Sequence, residues 1–248
     1  LAHKTGADIT AFLTIYDFSY EMTTMLSNDE REAMRQSVIN DRQQWLQAMI
    51  LSLEVNGLNI DCQVIWHNRP FEKIIYQVIN HGYDIVIKGT HQHDKLKSVI
   101  FTPTDWHILR KCPCPVLLVK EHLWLEHSNV VAALNIGSDE EEHCSLNDKI
   151  TAEAKQLTKV INANLHLVNS FPGTPINITI EIPEFNASDY NTSMYKHHEK
   201  AMLEHASAFN VCAQNTHIKE GLPEDVIENV ANELDAALVI LGTIGRTG

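Results

Sequence analysis

The 248-residue sequence lacks several features that would assign it to a particular class of protein. No apolar run approaches the roughly 18 residues that a membrane-spanning helix needs, so no membrane association is expected. The five cysteines are few, odd in number and scattered, which argues against a disulfide framework and favours a reduced, cytoplasmic protein. The sequence also contains no nucleophile elbow, no H-E-x-x-H motif and no P-loop, so no catalytic residue is predicted.

Positive charge is also scarce, because 19 Lys and Arg residues stand against 32 Asp and Glu, a net charge of −13. Nucleic-acid affinity needs Lys and Arg to displace counterions from phosphate, so no nucleic-acid partner is expected. The deficit is uneven: residues 1–122 carry 12 positive and 14 negative charges, and residues 123–248 carry 7 and 18. This asymmetry indicates two units with different surfaces.

An internal repeat organises the chain. Residues 57–90 and 210–243 align without gaps at an offset of 153 residues with seven identities, where chance gives about two. Pro70/Pro223 and Gly89/Gly242 are among them. The order of strands and helices also matches, and their alternation predicts parallel sheets with right-handed crossovers. We therefore predict an α/β fold that occurs twice, in residues 1–122 and 123–248.

Local signals place the elements of both copies. In the first copy, Ser27 and Glu30 predict a capping box for a helix that ends with Gly57 in a left-handed conformation. Strands are predicted at 9–16, 60–66, 85–87, 130–136, 164–170, 213–219 and 238–241. Helices are predicted from Pro70 and Pro103 and over about 146–161, 192–209 and 223–235. By the offset, we expect the first domain to lack its first strand and the second its C-terminal helix and last strand.

Several motifs resemble those of tandem members of the universal stress protein family. They are the strand exits Gly89-Thr90 and Gly242-Thr243, the strand entry "CPVLLV" at 114–119, and the segments 16–27, 67–72, 99–116 and 174–185. The resemblance implies two Rossmann-like domains of the adenine nucleotide alpha hydrolase type, each with a five-stranded parallel sheet flanked by helices. It also implies a cytoplasmic role in tolerating stress, including DNA damage. The two domains are expected to pair within the chain through last strands such as Val116–Val119, which removes an exposed sheet edge.

The resemblance further implies at most one nucleotide site, in the second domain. In nucleotide-binding members the loop after the fourth strand follows Gly, two residues, Gly, nine residues, Gly and then Ser or Thr, and its amides face phosphate. The second copy matches the first half of that pattern and has Asn135 where the family has an Asp near the adenine. The predicted binding residues are Asn135, Gly242, Thr243, Gly245, Arg246 and Gly248. The expected cofactor is ATP or AMP with Mg²⁺.

The first domain is predicted not to bind nucleotide, because His91-Gln92-His93 follows Gly89 where small residues are needed. For the second domain, the alternative is that its glycines form only a mobile turn. The acidic run Asp139–Glu142 would repel a triphosphate unless Mg²⁺ or distance screened it.

Other candidate sites have simpler explanations. His91, His93 and Asp94 have no evident further ligand, so no metal site is predicted. The pair Cys112 and Cys114 lies between prolines and is predicted to be structural. The segment Pro172–Tyr190 alternates isoleucine with polar residues, so one of its faces is expected to be buried. It either lines an apolar ligand cavity with Asp17–Leu26, covers the other domain, or forms an extra edge strand.

Together these features favour a stress-response protein that acts as a non-enzymatic binding or regulatory module. The alternative from another class is an ATP-binding protein with slow ATPase activity that uses the glycine-rich loop of the second domain. A third hypothesis is a binder of an apolar ligand.

Overall fold

A computed structural model describes residues 1–22, 25–53, 55–90, 102–120, 127–174 and 186–243. By its contacts the chain divides into two compact units, one of Leu1–His122 with Thr243–Gly248 and one of Leu123–Gly242. Within the described ranges, no helix is both long enough and apolar enough to cross a membrane.

Strands and helices alternate along most of the chain. The strands are β1 (Ile9–Ile15), β2 (Ile60–Trp66), β3 (Val86–Gly89), β4 (Val116–Val119), β5 (Asn129–Ala133), β6 (Asn164–Phe171), β7 (Thr216–Glu220) and β8 (Ala236–Ile240). The helices are α1 (Ala2–Thr5), α2 (Asn28–Ser52), α3 (Pro70–His81), α4 (Pro103–Lys111), α5 (Glu141–Ile161), α6 (Ala187–Ala208) and α7 (Pro223–Glu233). The predicted α/β fold with parallel sheets flanked by helices is confirmed.

The four described strands of the first unit form two separate parallel pairs. β1 pairs with β2 from Ile9↔Ile60 to Ile15↔Trp66, and β3 pairs with β4. A cavity of about 490 Å³ is lined by residues of β1, α3 and β3. At this cavity the Tyr83 hydroxyl donates a hydrogen bond of 2.8 Å to Thr10 Oγ1. Among the described residues, no strand pairs with the second edge of β1 or of β3.

The second unit has one parallel sheet with the strand order β7-β6-β5-β8. Its central strand β5 pairs with both β6 and β8. Among its described residues, the first unit has no strand that corresponds to β5. The expectation that the fifth strand of each domain lies outside residues 1–248 stays a prediction.

Both faces of the second unit's sheet are covered, as a parallel sheet requires. On one face, side chains of β5 and β6 pack against α5 and α6 around the fully buried Leu167 and Met202. On the other face, Val131 and Val168 pack against Val226 and Val230 of α7. This two-sided core fixes the positions at which the strands leave the sheet.

Most predicted helix starts are confirmed, and the deviations have local causes. Ser27 and Glu30 form the predicted capping box, and Thr102 caps α4 with Pro103 in its first turn. Helix α2 ends at Ser52, earlier than predicted. Ser52 Oγ donates to the Met49 carbonyl at 2.6 Å, and this bond competes with continuation of the helix. Gly57 is left-handed, with φ of 80°, but it lies in the turn before β2 rather than at the helix end.

In the second unit two helices begin earlier than the apolar periodicity indicates. The side chain of Asn186 caps α6 by accepting from the amides of Ser188 and Asp189. Glu141 and Glu142 lie in the first turn of α5, where the helix dipole favours negative charge. Capping and charge, rather than apolar spacing, determine where these helices start.

A buried ion pair connects two elements of the first unit. Asp105 is fully buried in α4, and its Oδ1 lies 2.7 Å from the Lys88 ammonium of β3. Its Oδ2 accepts from the amide and hydroxyl of Thr102 at 2.6 and 2.8 Å. Burial alone would raise the pKa of Asp105, but Lys88 and Thr102 together lower it. The stabilisation from these contacts is therefore lost as the pH falls through that lowered pKa.

We predict that Asp105→Ala lowers the free energy of unfolding of the first unit by about 3 kcal/mol, because it leaves Lys88 without its buried partner. Three of the four tryptophans, Trp45, Trp66 and Trp106, lie in this unit, so urea denaturation followed by tryptophan fluorescence measures mainly its unfolding. The matched control is Arg69→Ala, which breaks an exposed pair with Glu72 and should change little. Equal effects of the two substitutions would contradict the prediction.

Candidate functional site

The strand order of the second unit creates a crevice between the carboxyl ends of β5 and β8. The chain passes from β5 to β6 and β7 on one side and then returns by α7 to β8 on the other side of β5. Ligands of open parallel sheets bind where the strand order reverses in this way. Asn135 follows β5 and Gly242 follows β8, and the pairing of Ala132 with Ile240 brings both exits to the same edge.

A helix side chain fixes the backbone where β5 ends. Asn147, on α5 and only 5% exposed, accepts from the Asn135 amide through Oδ1 and donates to the Asn135 carbonyl through Nδ2. Both distances are 3.0 Å. The two polar backbone groups of Asn135 are thereby satisfied without a neighbouring strand.

The next residue is held by a second asparagine, from the neighbouring strand. Asn169 of β6 is 1% exposed, and its Oδ1 accepts from the Ile136 amide at 3.1 Å. Its Nδ2 lies 3.0 Å from Nδ1 of His198 on α6. The His198 ring stacks on Phe171 with ring centroids 5.3 Å apart. A Cβ at Gly137 would overlap the same imidazole, so the loop passes directly over His198.

The Asn135 side chain itself points away from these contacts and is exposed. Its Nδ2 lies 3.3 Å from Nδ1 of His143, and His143 Nε2 lies 3.3 Å from a Glu140 carboxylate oxygen. An exposed amide on a fixed backbone can hydrogen-bond a polar ring or a ribose hydroxyl. The crevice therefore presents one polar side chain whose position is set by buried neighbours.

Gly242 is closely packed on one side. A Cβ at Gly242 would lie 2.7 Å from both Ile150 Cδ1 and Leu146 Cδ2. These side chains belong to α5, so the absence of a Cβ lets the helix approach the end of β8. Packing thus explains this glycine without a bound phosphate. At the corresponding position of the first unit, a Cβ on Gly89 would meet no atom of the described residues within 4 Å.

The acidic run Asp139–Glu142, which is predicted to repel a triphosphate, lies at the end of the loop that follows β5. Its last residues, Glu141 and Glu142, form the first turn of α5. Their charges stabilise the helix start and also lower the affinity of the same edge for anions.

The structure describes only part of the predicted nucleotide loop. Asn135, Gly242 and the adjacent Thr243 are described, whereas Gly245, Arg246 and Gly248 lie outside the described residues. His91, His93 and Asp94 of the first copy lie outside them as well, as does most of the segment Pro172–Tyr190. The cavity described in the first unit is lined by residues of β1, α3 and β3. The predicted ligand cavity between Asp17–Leu26 and Pro172–Tyr190 stays a prediction, because part of each segment lies outside the described residues.

The cysteine pair has the properties of a packed structural element. Cys112 and Cys114 have their sulfur atoms 3.6 Å apart and are not bonded to each other. Burial, followed by the neighbouring Cys112, raises the pKa of Cys114 to about 12. A thiol with so high a pKa is a poor nucleophile. No three metal-ligating side chains converge in the part of the chain that the structure describes.

Sequence analysis missed four residues that shape the crevice. They are Gly137, Asn147, Asn169 and His198. One signal was present for Asn169: asparagine is depleted in strands, yet here it interrupts the apolar run of β6 (NLHLVNSF). The other three become significant only when helices and loop meet in space.

Comparison with known proteins identifies the family to which this chain belongs. A sequence model of the universal stress protein family matches residues 1–120. Relatives with the same family name align over the whole chain, so the chain belongs to the universal stress protein family. Within the family it is similar to universal stress protein E of Escherichia coli K12, with 49% identity over 249 residues, 100% of this chain and 79% of that protein. A universal stress protein E homolog of Haemophilus influenzae is 38% identical over 99% of this chain and 80% of its own.

Solved structures share the fold. A functionally unknown protein of Pseudomonas aeruginosa PAO1 matches with a TM-score of 0.69 and 24% identity, over 100% of this chain and 75% of its own. A putative universal stress protein of Pseudomonas aeruginosa UCBPP-PA14 matches with a TM-score of 0.67 and 23% identity, over 100% and 86%. At these identities the likeness concerns the fold alone.

The two repeat-related glycines give a matched test of the packing explanation. We predict that Gly242→Ala destabilises the second unit by about 1–2 kcal/mol, because its Cβ would crowd Leu146 and Ile150. Gly89→Ala should change the stability of the first unit by less than about 0.5 kcal/mol. Native-state hydrogen exchange in β8 and β3 measures each effect separately. A neutral Gly242→Ala would show that packing does not require this glycine.

Proposed function

We propose a stress-response role for this protein, which its membership of the universal stress protein family supports. We propose that the protein performs this role in the cytoplasm as a non-enzymatic binding or regulatory module, active in resistance to stress that includes DNA damage. Its ligand in this proposal is an adenine nucleotide, bound with Mg²⁺ in the second unit and not in the first.

The observation that carries this proposal is the position of Asn135 beside Gly242 at the point where the strand order reverses. This is where open parallel sheets bind nucleotides. The Asn135 side chain is exposed there on a backbone that Asn147 and Asn169 hold. The loop that begins at Gly242 continues with Gly245 and Gly248, and such a sequence suits close approach of phosphate to the main chain.

We expect calorimetric titration of the whole chain with ATP, ADP and AMP in the presence of Mg²⁺ to show one site per chain. Asn135→Ala should weaken binding about fivefold, the loss of roughly one hydrogen bond. The matched control is Asn164→Ala, an exposed asparagine at the opposite, amino edge of the same sheet. That variant should bind as the native chain does.

Three results would contradict the proposal. If none of the three nucleotides binds, an adenine nucleotide is not the ligand. Two sites per chain would show that the first unit binds nucleotide as well. Steady phosphate release from ATP, abolished by Asn135→Ala, would favour the slow ATPase instead of a non-enzymatic module.

A further inference from the structure

We infer that His198 is a positioning residue for the loop after β5, and that it holds this loop only while its imidazole is neutral. The contacts that support this lie within the second unit and do not depend on which ligand binds. The consequence for ligand affinity rests on the proposed function, whereas the consequence for the loop does not.

The hydrogen-bond directions follow from the backbone. The amide of Ile136 can only donate, so the Asn169 oxygen must face it, at 3.1 Å. The Asn169 NH₂ group is then turned toward His198 Nδ1, at 3.0 Å. That nitrogen must accept, which requires the neutral imidazole with its proton on Nε2.

A second proton on His198 cannot be accommodated in this arrangement. The protonated Nδ1 would face the Asn169 NH₂, so two donors would oppose each other. Rotating the amide of Asn169 would only transfer the conflict to the Ile136 amide, which would then face the NH₂ group. Because Asn169 and His198 are 1% and 6% exposed, water cannot easily replace the lost partner, and one of the two bonds must break.

The imidazole has little room to avoid the conflict by moving. Phe171 stacks on it at an interplanar angle of 25°, and the ring fills the space that a Cβ of Gly137 would need. A displaced His198 ring therefore displaces the loop that contains Asn135 and Gly137. Protonation of His198 therefore affects both the hydrogen bond of the Ile136 amide and the position of the loop after β5.

The surroundings of His198 favour the neutral form. The Asn169 amide and the Phe171 ring of β6 contact the imidazole, and the backbone at Gly137 of the loop lies against it. In the part of the chain that the structure describes, the titratable group that acts on His198 is His197 of the same helix, with ring centroids 5.6 Å apart. Burial, followed by His197, lowers the pKa of His198. The ring is therefore neutral at neutral pH and becomes charged in acid.

The test follows the Ile136 backbone amide and the Asn169 side-chain amide by ¹H–¹⁵N NMR from pH 7.5 down to the lowest pH at which the second unit stays folded. Three other histidines of this unit also have a lowered pKa because of burial: His166, His205 and His217. Overall stability therefore falls in acid as well, so the test compares variants. His198→Asn offers an uncharged amide oxygen near the position of Nδ1, whereas His198→Phe offers no acceptor.

In the native chain both amide signals should shift together as the pH falls. In His198→Asn they should keep their neutral-pH positions, and in His198→Phe they should be displaced already at pH 7.5. The control His197→Gln should keep the pH step and move its midpoint upward, since it removes a charge that disfavours protonation. Unshifted signals in His198→Phe, or an unchanged pH step in His198→Asn, would overturn the inference.

The ligand arm uses ADP with Mg²⁺ as the probe. Its affinity should fall about tenfold or more across the same pH step in the native chain, and by less in His198→Asn. An equal loss of ADP affinity in the native chain and in His198→Asn would show that acid weakens binding independently of His198, and would overturn its effect on the ligand. If ADP does not bind at any pH, the proposed function fails, and the NMR arm alone decides the positioning role.

Discussion

The crevice of the second unit depends on how the polar backbone is satisfied where β5 leaves the sheet. Beyond Ala133 the backbone of the chain is no longer hydrogen-bonded to a neighbouring strand on both sides. Buried backbone groups that have no hydrogen-bond partner are costly. Asn147 satisfies the amide and carbonyl of Asn135, and Asn169 satisfies the amide of Ile136. The exposed side chain at position 135 and the close passage of Gly137 over His198 follow from this anchoring.

The two units use related sequences with different results at the same position. Gly89 and Gly242 correspond in the repeat, yet among the described residues a helix packs closely against Gly242 and no side chain does so at Gly89. The described first unit has its strands in two pairs with a cavity between them, whereas in the second unit the doubly paired β5 fills that place. A shared backbone pattern thus supports different surroundings, and a function argued for one unit does not transfer to the other.

Sequence reasoning predicted the fold because its signals are local. Apolar strands, the prolines that open α3 and α7, and the capping residues Ser27 and Thr102 each act within a few residues. The crevice was predicted only as far as Asn135 and Gly242, which a repeat and a family pattern could locate. Asn147, Asn169 and His198 lie on three different elements, so the contacts among them arise only when α5, β6 and α6 pack together.

Amide hydrogen exchange at Asn135 and Ile136 in the unliganded chain at neutral pH tests the account most directly. If side-chain amides anchor this loop, both amides exchange about a hundredfold or more slowly than those of an unstructured peptide, although neither belongs to a strand. Exchange at the rate of a free peptide would contradict the account, since the loop would then have no fixed position for Asn135 to be presented from.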